Sequence, residues 1–120
     1  MVICPFWSGA PYEMLVIPRA HEVHLENTSP QDVVAVGRAI RDALFSLRKH
    51  VGDASYNLVF HTAPHQHGNA FHWHAHIWPK LATTAGFERG TGVLINITPP
   101  ELAAQELRRA AEPAPAQARA

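Results

Sequence analysis

"AFHWHAHIWPK", residues 70–80, sets a histidine at every second position (His72, His74 and His76) among apolar residues. Strict alternation marks a strand that shows one face to a core and the other to something polar. Phe71, Trp73, Ala75 and Ile77 then point one way and the three imidazoles the other, in a row stepping about 6.6 Å along the chain. Pro79 cannot donate to a sheet ladder and ends the strand. A solvent-facing polar strand has no need of so many imidazoles, and six of the nine histidines fall between His61 and His76. Two chemistries suit such a row. Neutral imidazoles ligate transition metals. Alternatively, one imidazole attacks phosphorus while its neighbours orient it and neutralise phosphate charge.

Outward from this strand, "SYNLVFH" (55–61) reads as a second strand, joined to it by the loop "TAPHQHGN". Further upstream, Ser29, Pro30 and Asp32 form a helix-entry signal: an N-cap, a proline at the first helical position and a capping-box acid. Val33, Val36, Ile40, Leu44, Leu47 and Val51 then recur at three or four residues, giving one apolar stripe. Arg38, Arg41, Arg48 and Lys49 take the other faces, and Gly52 supplies the stop. "YEMLVIP" (12–18) is a strand stopped by Pro18, and residues 19–28 are a polar connection. "TGVLINI" (91–97) is a further strand candidate, and "TPPELAAQELRRAA" opens a second helix with Thr98 and Glu101 as its capping pair. Strands in tight succession plus a packed helix predict an α+β domain with an antiparallel sheet over residues 1–110. Residues 111–120, "AEPAPAQARA", lack large apolar groups and are expected to be disordered.

The 120 residues make one domain, 47% hydrophobic and 17% charged, as in ordinary soluble proteins. Ten basic and ten acidic side chains cancel and no basic run occurs, so nucleic-acid binding is not expected. The single cysteine, Cys4, excludes an intramolecular disulfide and is expected to be buried among apolar groups. No stretch approaches the roughly 20 apolar residues of a membrane span, and the first residues do not read as a signal peptide. A cytoplasmic location is therefore expected. His21 suits a structural hydrogen bond, and His50 at a helix end suits capping of the last carbonyls. Trp73 and Trp78 suit a core or a subunit interface. "GTG" (90–92) is too weak a glycine pattern for a phosphate loop.

The run His72-Trp73-His74-Ala75-His76-Ile77-Trp78 resembles the histidine-triad motif. "LVIPRAHEVHLENTSPQD" (15–32) is similar to the strand, turn and helix entry of that HIT-like superfamily. "CPFWSGAPYEMLVIPRAHE", "YNLVFHTAP", "FHWHAHIWPKL" and "AGFERGTGVLINITPPELAAQELR" resemble the C-terminal half of galactose-1-phosphate uridylyltransferases over nearly all of the chain except its tail. The resemblance implies an antiparallel sheet of about five strands with one long helix and a C-terminal helix. It also implies that two such units, identical or fused, make one functional body, here a homodimer or a heterodimer with an N-terminal-half-like chain.

The activity implied is transfer of a nucleotidyl group between sugar nucleotides or hexose 1-phosphates, as in galactose metabolism. His74 would be the nucleophile, with His72 and His76 orienting it and holding phosphate oxygens. Asn69 and His61 would contact substrate, and no cofactor is required. A homodimeric nucleotide hydrolase of the histidine-triad type is a second outcome of the same chemistry. A third outcome is a non-catalytic partner domain in which His61, His74 and His76 hold a structural zinc or iron, with a carboxylate ligand from elsewhere. The superfamily's usual Gly-Gln-Ser/Thr run before the triad is "HGNA" here, and the His-Pro-His-x-Gln motif that carries the nucleophile in the N-terminal half of the uridylyltransferases is absent.

Overall fold

The computed structural model describes residues 1–65 and 70–112. Four antiparallel strands appear among them: β1 (Val2–Ile3), β2 (Met14–Val16), β3 (Tyr56–His61) and β4 (His74–Pro79), in the order β1-β2-β4-β3. Three α-helices, α1 (Pro30–Val51), α2 (Gly86–Thr91) and α3 (Pro100–Ala111), and a 3-10 turn at Leu25–Asn27 accompany them. The α+β class and the antiparallel sheet match the sequence reading, with four strands where about five were expected. No helix among the described residues is long and apolar enough to cross a membrane.

The sheet has two unlike faces, as the period of two requires. Met14 pairs with Ile77 and Val16 with Ala75, placing all four on one face. There they are fully buried with Trp73 against Val36, Ala43 and Leu47 of α1 and Leu107 of α3. Val33 opens the apolar stripe of α1 but is exposed, whereas Ile40, Leu44 and Val51 are partly buried against the core. The other face carries Leu15, His76 and Val59 in one cross-strand row and His61 beside His74 in the next.

Helix α1 begins as the sequence predicts: the Ser29 hydroxyl accepts the Asp32 N–H at 3.2 Å and donates to its carboxylate at 2.7 Å. Gly52 ends the helix at φ 81, its N–H donating to the Arg48 carbonyl. At α3 the expectation fails. Pro99, not Thr98, stands at the N-cap with no side-chain cap, and the Thr98 N–H donates to Asn96 Oδ1 instead.

Residues 91–97 are not a strand. Thr91 closes α2 and the remainder runs without a ladder, Val93, Leu94, Ile95 and Ile97 all being exposed. The segment is held by side chains rather than by a neighbouring strand. The Glu88 carboxylate accepts the Ile95 N–H and then the Ala85 N–H, which hold it below the usual carboxylate range, and Asn96 Nδ2 donates to the Ser8 carbonyl. The composition is β-type, but the segment joins no ladder of the sheet.

Tyr12 is the single non-glycine residue at positive φ among the described residues, at 59°. It occupies the third position of the Ala10–Glu13 turn, closed by the Glu13 N–H on the Ala10 carbonyl, with Pro11 before it. That position favours glycine, and tyrosine there costs about 1–2 kcal/mol. Its phenol donates to Glu106 of α3 at 2.7 Å and lies 2.9 Å from His50 Nε2 in the last turn of α1. Burial first, then the Glu106 carboxylate, push the phenol up to about 12, so it stays protonated. His50 thus serves the Tyr12–Glu106 cluster, and no carbonyl of α1 is its partner.

Candidate active site

Strand β4 delivers His74 and His76 to the open face of the sheet, and β3 delivers His61 opposite His74. His72 precedes the ladder. Its neighbour Trp73 donates its backbone N–H to the Glu22 carbonyl, drawing the chain off the sheet there. The sequence placed all three triad histidines on one strand, whereas two lie on the strand and one on the extended chain leading into it.

Backbone and carboxylate partners fix which nitrogen each ring presents. His74 Nδ1 lies 3.0 Å from the His72 carbonyl, which only accepts, so Nδ1 carries the proton. Its Nε2 is left with the in-plane lone pair. The ring stacks on His61 with centroids 4.9 Å apart, and on Phe71 at 5.9 Å. His72 Nε2 donates to the Ala20 carbonyl at 3.1 Å, and its ring meets His21 edge-on at 4.9 Å. His76 Nε2 donates to Glu13 Oε1 at 2.8 Å, and its ring lies 5.3 Å from Trp78. His61 is held below its ordinary value of 6.5, first by burial and then by the neighbouring His74 and His76, which favours its neutral form.

Glu13 is the residue that sequence reasoning missed. It is 2% exposed, and its second oxygen accepts the N–H groups of Gly9 at 2.8 Å and Ala10 at 3.2 Å. A signal for it existed. Glu13 and Leu15 share the alternation that sends Met14 and Val16 to the core, so Glu13 belongs to the histidine face.

The sequence-predicted His61, His72, His74 and His76 are brought together. His65 is described and exposed, whereas Asn69 and His67 lie outside the described residues, as does the tail from residue 113 onward. Cys4 is half-buried, and burial pushes its thiol up, away from reactivity. Trp73 is a core residue, whereas Trp78 stands partly exposed beside His76. Three imidazoles and a carboxylate are a donor set that transition metals accept. No three such groups converge on one point among the described residues, however, and Glu13 already occupies His76. A cavity of about 800 Å³ lies away from this chemistry, between β1, α1 and α3. Another cavity, of about 450 Å³, is lined by Asn57, Trp78, Lys80, Thr84 and Arg89 among others, and Trp78 places it next to His76.

The HIT domain model matches residues 6–83, which contain the triad, Glu13 and His61. The chain belongs to the HIT domain family. Among its relatives is the ADP-glucose phosphorylase of Arabidopsis thaliana, 32% identical over 110 residues, covering 88% of this chain and 31% of that protein. The galactose-1-phosphate uridylyltransferase of Thermotoga maritima is 30% identical over 123 residues, covering 90% of this chain and 37% of that one. The crystal structure of the Arabidopsis phosphorylase with bound ADP-glucose superposes with a TM-score of 0.79 at 34% identity, covering 89% of this chain and 36% of that one. This HIT chain spans about a third of the length of these relatives.

Proposed function

We propose that this HIT domain carries out nucleotidyl transfer on a sugar nucleotide or hexose 1-phosphate, with His74 as the nucleophile. The observation that carries the reading is the hydrogen bond from His74 Nδ1 to the His72 carbonyl, which leaves Nε2 as a lone pair on an open face. In the first step Nε2 forms a bond to the α-phosphorus. The P–O bond to the sugar phosphate breaks, and its electron pair leaves on oxygen. In the second step a phosphate oxygen of the acceptor attacks phosphorus and the N–P bond breaks, restoring the imidazole. The carbonyl on Nδ1–H stabilises the positive charge that develops on the ring in between. His72 and His76, each held by a partner of its own, frame the attacking ring and face the phosphate oxygens. Trp78, Asn57, Lys80 and Arg89 give the adjoining cavity an aromatic plate, an amide and two cations suited to a sugar phosphate. Relatives named for chemistry on ADP-glucose and galactose 1-phosphate support the same substrate class.

A labelled sugar nucleotide tests this with hexose 1-phosphate, inorganic phosphate and water each offered as acceptor. Transfer to hexose 1-phosphate or phosphate is expected, and label trapped on His74 after an acid-free quench. Loss on the order of 10³-fold or more is expected for His74→Asn. Undiminished turnover by that variant would sink the reading. Water as the sole acceptor would make the protein a nucleotide hydrolase with the same nucleophile.

A second reading takes the clustered rings of His61, His74 and His76 as metal ligands, for which the Glu13–His76 hydrogen bond would have to open. In it the chain is a metal-stabilised partner domain and the chemistry resides on another chain. Elemental analysis of untagged protein decides: about one zinc or iron per chain, lost with His61→Ala, would establish it. For either reading we propose that a second HIT-like unit, a second copy or an N-terminal-half-like chain, docks on β3. This edge strand exposes Tyr56, Leu58, Val59 and Phe60 and carries no proline and no Lys, Arg, Asp or Glu to block pairing.

A further inference from the structure

Residues 12 and 13 straddle the sheet. Tyr12 reaches the helix side, where its phenol joins His50 of α1 and Glu106 of α3. Glu13 reaches the opposite face, where one oxygen grips His76 and the other takes two backbone amides. A single peptide unit thus connects the junction of the two helices to the histidine cluster. The backbone at Tyr12 is the one left-handed non-glycine conformation among the described residues. Glycine would adopt that turn without strain, so local conformation does not explain a tyrosine there. What only tyrosine supplies is the ring packed at 5.0 Å on His50 and the hydroxyl that binds both helices.

We propose that Tyr12 is a positioning residue for the histidine site: clamped between His50 and Glu106, it fixes the turn that holds Glu13 against His76. On its C-terminal side Glu13 runs straight into Met14 of β2, but its carboxylate is anchored to Gly9 and Ala10 of the preceding loop, which Asn96 holds only at Ser8. The Tyr12 phenol adds the tie next to Glu13 itself, joining the turn to α1 and α3. The mechanistic consequence rests on the nucleotidyl-transfer reading, for which His76 must keep Nε2–H directed at Glu13 and present its other nitrogen to the site.

The test uses the full chain labelled with ¹⁵N-histidine and reads the His76 ring nitrogens by NMR. In the parent protein Nε2 is expected to be the protonated nitrogen, hydrogen-bonded to carboxylate. Tyr12→Phe keeps the ring and removes only the hydroxyl. It is expected to turn the His76 signals into a mixture of tautomers, while far-UV circular dichroism and core methyl signals stay as they were. Tyr12→Gly, which removes both the strain and the clamp, is expected to do the same. Glu106→Gln, whose amide oxygen still accepts from the phenol, should restore the parent pattern, whereas Glu106→Ala should lose it. A general packing role would move both Glu106 variants alike. Where nucleotidyl transfer is measurable, Tyr12→Phe should lower kcat up to about a hundredfold with KM nearly unchanged. Unaltered His76 signals in both Tyr12 variants would overturn the proposal whatever the activity. A chain that transfers no nucleotide yet shows the His76 change would overturn the functional reading alone. If Tyr12→Phe does not fold, the Glu106 pair decides.

Discussion

Glu13 is an ionisable side chain with almost no access to water, and burying one is tolerated only when every lone pair has a partner. Its partners are the His76 ring on one oxygen and the Gly9 and Ala10 amides on the other. Glu13→Ala therefore removes more than one contact, because it strands two backbone donors and frees the His76 ring. A loss of about 2–4 kcal/mol in urea unfolding is expected, against less than half of that for Glu13→Gln, which keeps an acceptor for the amides. Equal losses in the two variants would mean that the amides find water instead. His61 gives the site a pH dependence of definite sign. Its folded value lies below the ordinary 6.5, so between the two the unfolded chain binds more protons than the folded one. Stability therefore rises with pH across that window and is lost as pH falls through it. Comparing urea midpoints near pH 7.5 and 5.5 should give a smaller difference in His61→Asn than in the parent protein. An unchanged difference would move the acid sensitivity to other groups.

At the scale of elements, α1 was fully legible because local signals agreed: Ser29 as cap, Pro30 at the start, a stripe of period 3.6 and Gly52 at the end. The Ser29 hydroxyl bonds to Asp32 through both its backbone and its side chain, so Ser29→Ala should cost about 1 kcal/mol. Thr98→Ala should cost far less, because Thr98 caps nothing and its backbone N–H is served by Asn96. Thermal unfolding of the two variants side by side checks the contrast. Residues 91–97 were misread because β-propensity reports fitness for a pleated surface, and whether a partner strand exists is decided by the rest of the chain. β1 was missed for the opposite reason: two residues, Val2 and Ile3, are too short to show a period, and pairing with Leu15 and Val16 alone makes them a strand. The triad was legible as a pattern of residues. The position of His72 ahead of the ladder was not, since a bond from the Trp73 amide to the distant Glu22 leaves no mark in local sequence.

For the whole molecule, alternation along two strands and one helical stripe were enough to read the two-layer architecture. What they could not reveal is which sheet edge is left bare. The order β1-β2-β4-β3 pairs β3 with β4 on one side alone, and Tyr56, Leu58 and Phe60, which share the core-facing side, extend past the cover of the helices. Edge strands that must stay solitary usually carry a charge, a proline or a bulge, and β3 has none of the first two along its six residues. If β3 pairs with β3 of a second copy, Leu58 sits near the middle of a continuous sheet, and a lysine there adds an unpaired charge. Leu58→Lys should then halve the mass measured by light scattering at tens of micromolar while leaving circular dichroism unchanged. Leu58 is on the face opposite the histidines, so the variant does not touch His61, His74 or His76 directly. A parent chain that is already monomeric at that concentration would overturn self-pairing and leave the edge to an unlike HIT unit. Label trapping on His74 in the Leu58→Lys monomer separates the remaining cases: retained label means that one chain holds all that the first chemical step needs, and lost label means that the site is completed across the β3 edge.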